Sequence, residues 1–226
     1  VKELQPDAIA FQGPNGHDHL IRWVGNEEGT APDPCWAVKD SIWCPGEADF
    51  TLRYNSSYQG GWFWKAGEDD QMFSLEELMH KYETSVGRNT NMLLGIVIDN
   101  RGLVPDADVK RIGELGDAIR ARYGSPVATV SGKGKNVKLT LPAATMVDRL
   151  VLQEEISEGE RVLEWHVDAT LPDGNVQRVC EGTNIGHKRI CAFPAVEVVS
   201  LTLVVDSCNA TPRIRNFAVY RELAEN

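Results

Sequence analysis

Asn91-Met92-Leu93-Leu94-Gly95-Ile96-Val97-Ile98 decides how this chain is read. It is a nearly unbroken apolar run of strand length, the pattern of a strand buried on both faces of a parallel sheet. Pro105-Asp106 then opens a helix to about Tyr123, with Val109, Ile112, Leu115 and Ile119 at helical spacing and Gly124 as its cap glycine. Upstream, Ser74 with Glu77 forms a capping box that starts another helix. Earlier still, Ala8-Ile9-Ala10-Phe11 reads as a short strand opening into a Gly/Pro/Asn/His loop. Up to Gly124 the chain therefore alternates strand and helix.

From Ser125 onward the pattern changes. Eight short β runs follow, at 127–130, 137–141, 149–152, 162–169, 176–180, 189–193, 196–205 and 214–220. Pro172-Asp173-Gly174-Asn175 marks a hairpin turn between two of them. That density suits an antiparallel sandwich or jelly roll. A full (β/α)8 barrel needs on the order of 250 residues, so residues 1–124 can supply only its last strands. The expected fold class is α/β plus all-β. Residues 1–124 would form the C-terminal half of a (β/α)8-like barrel, and residues 125–226 a jelly-roll-like antiparallel β-sandwich.

The 226 residues carry a formal charge of −10. No basic stripe is present to neutralise phosphates, so nucleic acid is not an expected partner. No apolar run approaches the roughly 20 residues of a membrane span. The chain does not begin with Met and shows no signal peptide, so its start reads as internal. None of the five cysteines forms a Cys-x-x-Cys pair. Cys35 with Cys44, and Cys180 with Cys191, are each about ten residues apart around turn residues and are candidate disulfides. Sequons at Asn55 and Asn209 add to a secreted, glycosylated reading. Glu154, Glu155, Glu158 and Glu160 read as a solvated acidic turn.

The chemistry concentrates between Arg22 and Asp69, where five of the six tryptophans and several carboxylates are interleaved with glycines. Aromatic faces stack on sugar C–H groups, and paired carboxylates supply acid and base or nucleophile. Glu27 lies on a Gly-flanked loop near Trp23. Glu47, Asp49 and Thr51 share one face of an expected strand. Glu47 is either a catalytic acid or a structural carboxylate anchoring Arg53 or Arg22. Trp62 and Trp64 point the same way if their segment is extended, and each is either a sugar platform or core. His17 and His19 flank Asp18 on a polar loop. They lack zinc-ligand spacing, so no metal or cofactor is expected, and His17 is a candidate contact to sugar hydroxyls.

Arg22-Trp23-Val24-Gly25-Asn26-Glu27-Glu28-Gly29, Pro45-Gly46-Glu47-Ala48-Asp49, Gly61-Trp62-Phe63-Trp64, Ser85-Val86-Gly87-Arg88-Asn89-Thr90-Asn91 and Gly182-Thr183-Asn184-Ile185-Gly186-His187-Lys188-Arg189 resemble, in order, landmarks of glycoside hydrolase family 29, the α-L-fucosidases. The first segment resembles the branch acting on α-1,3/1,4-linked fucose. Lys65, Gly95 and Asp99 depart from the family pattern. The resemblance implies a retaining mechanism, a fucosylated oligosaccharide or glycoprotein glycan as substrate, and Glu27 as first choice for acid/base with Glu47 as rival. It also implies Arg22, Trp23, Asp49, Trp62 and Trp64 as sugar-contacting candidates. Asp7 lies at a strand start, the wrong end of a barrel strand for catalysis. The nucleophilic Asp is therefore expected on a preceding N-terminal segment, missing here or held by a separate chain. The alternative is a non-catalytic secreted carbohydrate-binding protein, or an inactive fragment.

Overall fold

The computed structural model describes residues 3–11, 20–39 and 42–221. Four strands run parallel in the order β1 (Ala10–Phe11), β2 (Leu20–Trp23), β5 (Gly46–Thr51) and β6 (Thr90–Gly95). The hairpin of β3 (Val38–Lys39) and β4 (Ile42–Trp43) stands apart from that sheet. Helix α1 (Leu75–Ser85) starts on the expected capping box, with Glu77 N–H donating to Ser74 Oγ. Helix α2 (Asp106–Tyr123) follows β6. Gly124 sits at its C-cap with a right-handed φ of −76°. It closes the helix without the left-handed turn for which a cap glycine is usually needed.

Alternation along β5 and β6 gives this sheet two different faces. Phe50, Met92 and Leu94 pack with Leu52, Leu78, Met79 and Leu115 in one core under the two helices. The opposite face is polar or open. Glu47 is paired with Trp23 and Asn91, Asp49 with Leu93, and Thr51 with Gly95. Burial on both faces, expected for 91–98, is therefore not observed: the strand ends at Gly95 and Leu93, Ile96 and Ile98 are exposed. Only the face covered by the helices is dry.

The eight β runs after residue 125 become six strands, because two pairs of runs fuse. These are β7 (Ala128–Lys133), β8 (Asn136–Glu154), β9 (Val162–Thr170), β10 (Val176–Gly182), β11 (Arg189–Cys208) and β12 (Arg213–Tyr220). They form one antiparallel sheet ordered β10-β9-β11-β8-β12-β7. Register shifts between Ala192 and Val196 and between Val198 and Ser200 bend β11 against β8. Such irregularities let one long strand turn a corner without a loop. Both ends of β8 then contribute to one core, with Val137, Leu139 and Leu141 joining Leu150, Leu152, Trp165, Leu203 and Phe217. No helix of the described residues is long and apolar enough to cross a membrane.

The parallel and antiparallel sheets meet at a buried polar seam. Asn89, just before β6, has a positive φ of 66°, a conformation Asn tolerates better than most residues. Its N–H donates to Lys188 O at 3.0 Å and its Oδ1 accepts from His187 N–H at 2.6 Å. Its Nδ2 donates to Cys35 O at 2.9 Å and to Glu160. Asn184 Nδ2 reaches the same Cys35 carbonyl at 2.7 Å, and Ala37 N–H donates to Glu160 at 2.9 Å. Arg189 grips Asp33 through two bonds of 3.0 and 2.9 Å. A Cβ on Gly186 would lie 2.2 Å from Asn89 Oδ1, so glycine is required there. Glu154 and Glu160 are buried in this region, contrary to the solvated turn expected of them. The ladder hides Glu154, and the seam hides Glu160.

Two predictions follow from the seam. Asn89→Ala leaves the His187 N–H without its partner and removes one hydrogen bond each from Glu160 and the Cys35 carbonyl, and should cost the intact protein about 3 kcal/mol in denaturant unfolding; a loss below about 1 kcal/mol contradicts the seam's role. Burial raises Glu160 above the usual carboxylate range, reinforced by the charge of Glu154. A carboxyl raised on folding adds stability that is complete below its unfolded value and is lost as pH climbs through its folded value. Glu160→Gln cannot ionise, so it should gain stability relative to the parent as pH rises above the ordinary carboxylate range. A difference that does not change with pH contradicts this.

Candidate active site

The open face of the parallel sheet gathers its polar groups beside the C-terminal end of β2, where Trp23 is level with Glu47 of β5. Trp23 closes β2, and its Nε1 donates to Asp49 Oδ1 at 2.5 Å and to Asn26 O at 3.1 Å. The loop after it is pinned to β5, with Val24 N–H on Glu47 O and Gly29 N–H on Asp49 O, both 3.1 Å. Gly29 has a φ of +67°, and a Cβ there would lie 2.3 Å from the Phe50 ring, so the loop passes too close for any side chain. Lys81 of α1 donates to Glu28 O from the helix side. Glu27 is thereby presented at the rim, exposed, with Oε2 accepting from Trp62 Nε1 at 3.2 Å.

Glu47 lies deeper, half-buried on β5. Burial, and then the charge of Asp49, raise its carboxyl above the usual range. The sequence offered Arg53 or Arg22 as its anchors, and neither serves. Arg53 goes to Asp108 and Asp69, and Arg22 Nη2 donates to Trp36 O at 2.6 Å. The Glu47 carboxyl has no hydrogen-bond partner among the described residues. A carboxyl held toward its neutral form beside an ionisable Asp is equipped to donate a proton or to bind a hydroxyl.

The segment from Tyr54 to Phe73 is folded around two charged groups. Buried Arg53 binds Asp108 of α2, Glu68 O at 2.9 Å and Asp69 at 2.8 Å. Glu68 accepts from the Ser56 and Ser57 hydroxyls and pairs with Lys65, which holds its carboxyl down at about 2. Trp62 follows a 3-10 turn, Gln59–Gly61, with a helical φ of −74°. The segment is therefore not extended, and the premise that Trp62 and Trp64 point one way does not hold. Trp62 reaches Glu27; Trp64 has no hydrogen bond or ring contact among the described residues.

The structure thus brings Trp23, Glu27, Glu47, Asp49 and Trp62 to one face and turns Arg22 away toward Cys35 and Trp36. Asn26, whose carbonyl holds Trp23, and Asn91, level with Glu47, also line that face. Period-2 alternation along β6 was the signal for Asn91, masked by the apolar residues around it. His17 lies outside the described residues. Among the described residues no cluster of three His, Cys, Asp or Glu side chains could hold a metal ion. Asn55 and Asn209 are exposed, and Asn209 Nδ2 donates to Glu160 O at 3.3 Å. All five cysteines are free thiols. Cys35 faces Arg22 Nη2 at 3.7 Å, whereas Cys180 and Cys191 bond to each other.

The chain is similar to α-L-fucosidases. Alpha-L-fucosidase 1 of Arabidopsis thaliana is 27% identical over 98% of this chain and 53% of its own length. A crystal structure from Bacteroides thetaiotaomicron, assigned to the α-L-fucosidases, superposes with a TM-score of 0.92 at 35% identity, over 99% of this chain and 55% of that one. A glycoside hydrolase 29 family member from an unknown rumen bacterium superposes with a TM-score of 0.85 at 26% identity, over all of this chain and 44% of that one. The chain spans about half the length of the curated relatives it matches. No family model matches it.

The cysteine geometry separates the two expected disulfides. Bonding to Cys180 lowers the Cys191 thiol, and the same contact, with burial, raises Cys180. Two thiols in contact, one made the more acidic by the other, are an arrangement that oxidises readily. Under mild oxidation, non-reducing peptide maps should link Cys180 to Cys191, closing a loop worth about 2–3 kcal/mol. Cys208 joined to either sulfur, or both remaining alkylatable, contradicts this.

Proposed function

We propose that this chain is the C-terminal part of a secreted, retaining α-L-fucosidase that removes terminal α-1,3/1,4-linked fucose from glycans. Residues 1–124 are the end of its catalytic (β/α)8-like barrel and residues 125–226 its β-sandwich. The observation that carries this reading is the convergence of Trp23, Glu27, Glu47, Asp49 and Trp62 on one face of the parallel sheet, with Glu27 and Trp62 on the segments that leave the C-terminal ends of β2 and β5. That is the end at which parallel barrels carry their active sites. The likeness to α-L-fucosidases supplies the reaction.

In the proposed mechanism, an Asp from a segment of the intact protein outside these residues attacks the fucose C1 carbon. Glu27, at the rim where the leaving glycan departs, protonates the glycosidic oxygen. It then takes a proton from the water that hydrolyses the fucosyl-enzyme. Glu47 and Asp49 face the sugar from below, and Trp23 holds Asp49 in place. The exposed Leu93, Ile96 and Ile98 belong against the strands of that other segment.

A second reading exchanges the two glutamates. Glu47 is raised by burial and by Asp49, as a general acid is. The pair is separated by comparing Glu27→Gln with Glu47→Gln in the intact protein. Loss of the acid should lower kcat/KM on a natural fucosylated oligosaccharide by about 10²–10⁴-fold and spare an activated aryl fucoside, which needs little protonation. We expect that pattern from Glu27→Gln. Finding it only in Glu47→Gln installs the second reading, and full activity of both variants on natural glycans rejects both.

A further inference from the structure

We infer that Trp62 is a positioning residue for Glu27, holding one carboxyl oxygen through its indole N–H, and that the bare backbone of Gly95 is what admits the ring to that position. The inference rests on the fucosidase reading with Glu27 as acid/base. Two contacts converge on Trp62, and two more fix the turn that carries it. Its Nε1 lies 3.2 Å from Glu27 Oε2. Its six-membered ring lies on Gly95 at the end of β6, where a Cβ would stand 2.5 Å from Cζ3 and 2.9 Å from Cε3. The turn that carries it is fixed from below, with Thr51 Oγ1 donating to Gly60 O at 3.0 Å. Gly61, at φ +85°, runs so close to Arg53 that a Cβ would lie 2.0 Å from its carbonyl oxygen.

The chemistry follows from what an indole can do. Its N–H is a donor only, so it serves an oxygen that carries no proton. With Oε2 committed to Trp62, the proton that Glu27 gives and retrieves belongs on Oε1. The flexible side chain on an exposed loop is thereby confined to one orientation. Proton transfer depends on such geometry before it depends on acidity. A Trp that served only as a sugar platform would change substrate binding and leave the proton chemistry alone.

The test uses the intact protein with ¹⁵N-labelled tryptophan. The Trp62 indole resonance should titrate with one carboxyl, and Glu27→Gln should abolish that titration. Trp62→Phe keeps the ring on Gly95 and removes the donor. It should lower kcat on a natural fucosylated oligosaccharide about 5–10-fold with little change in KM, because the carboxyl loses the donor that orients it. Gly95→Ala displaces the ring and should reproduce that fall in kcat, with the double variant no worse than either single one. An indole resonance indifferent to Glu27→Gln overturns the inference. So does a Trp62→Phe enzyme altered in KM alone. An intact wild-type protein that releases no fucose rejects the fucosidase reading instead; the indole titration then still decides whether Trp62 holds Glu27.

Discussion

The side chain of Asn89 is the point on which the two sheets depend. It satisfies groups from three separate segments, the Cys35 carbonyl, the Glu160 carboxylate and the His187 N–H. The first two are buried and would be costly to leave unpaired. The same residue immediately precedes β6, whose far end carries Gly95 and the indole of Trp62. Fixing Asn89 fixes the strand, and the strand sets the height of the rim. Two of the sequence segments that resemble family landmarks, around Gly87-Arg88-Asn89 and Gly182 to Arg189, turn out to be each other's partners. Ile190 N–H donates to Gly87 O at 3.0 Å, and Arg88 bridges to Arg189. Their residues serve the joint between the sheets.

A second buried polar device supports the rim from the other side. Arg53 and Asp108 are both almost wholly inaccessible. A buried pair of this kind adds little net stability beside an apolar replacement, but losing one partner leaves an uncompensated charge. Its use here is geometric. Arg53 also holds the backbone at Glu68 and the carboxylate of Asp69, so the segment carrying Trp62 is tied to α2 at its base. Glu68 then winds the segment around Ser56, Ser57 and Lys65. The exposed loop inherits its order from a buried cation.

Much of the fold was legible because it rests on local rules. The capping box at Ser74, the helix ending at Tyr123 and the change to all-β after Ser125 follow from short-range pattern. The fused strands did not, because a bulge inside β11 leaves the same polar interruption as a turn. Glu154 and Glu160 were misread for a related reason. Their partners, Gly186 and Arg161 for one and Ala37 and Asn89 for the other, come largely from distant segments that composition cannot reveal. At the site, alternation on β5 correctly grouped Glu47, Asp49 and Thr51. Arg22 was misjudged because adjacent strand residues point to opposite faces, and Trp23 took the open one. Trp62 was singled out for its aromatic face, whereas its observed polar contact is through the indole N–H.

The central claim is that this face works opposite a nucleophilic Asp from elsewhere in the intact protein. Trapping the covalent intermediate with a fluorinated fucosyl fluoride, followed by peptide mapping of the label, tests it most directly, since a retaining enzyme accumulates that species when its second step is slowed. The account predicts a fucosyl label on an Asp outside residues 1–226, with Glu27 and Glu47 unlabelled. A label on any residue of this chain, or release of fucose with inverted configuration, would contradict it.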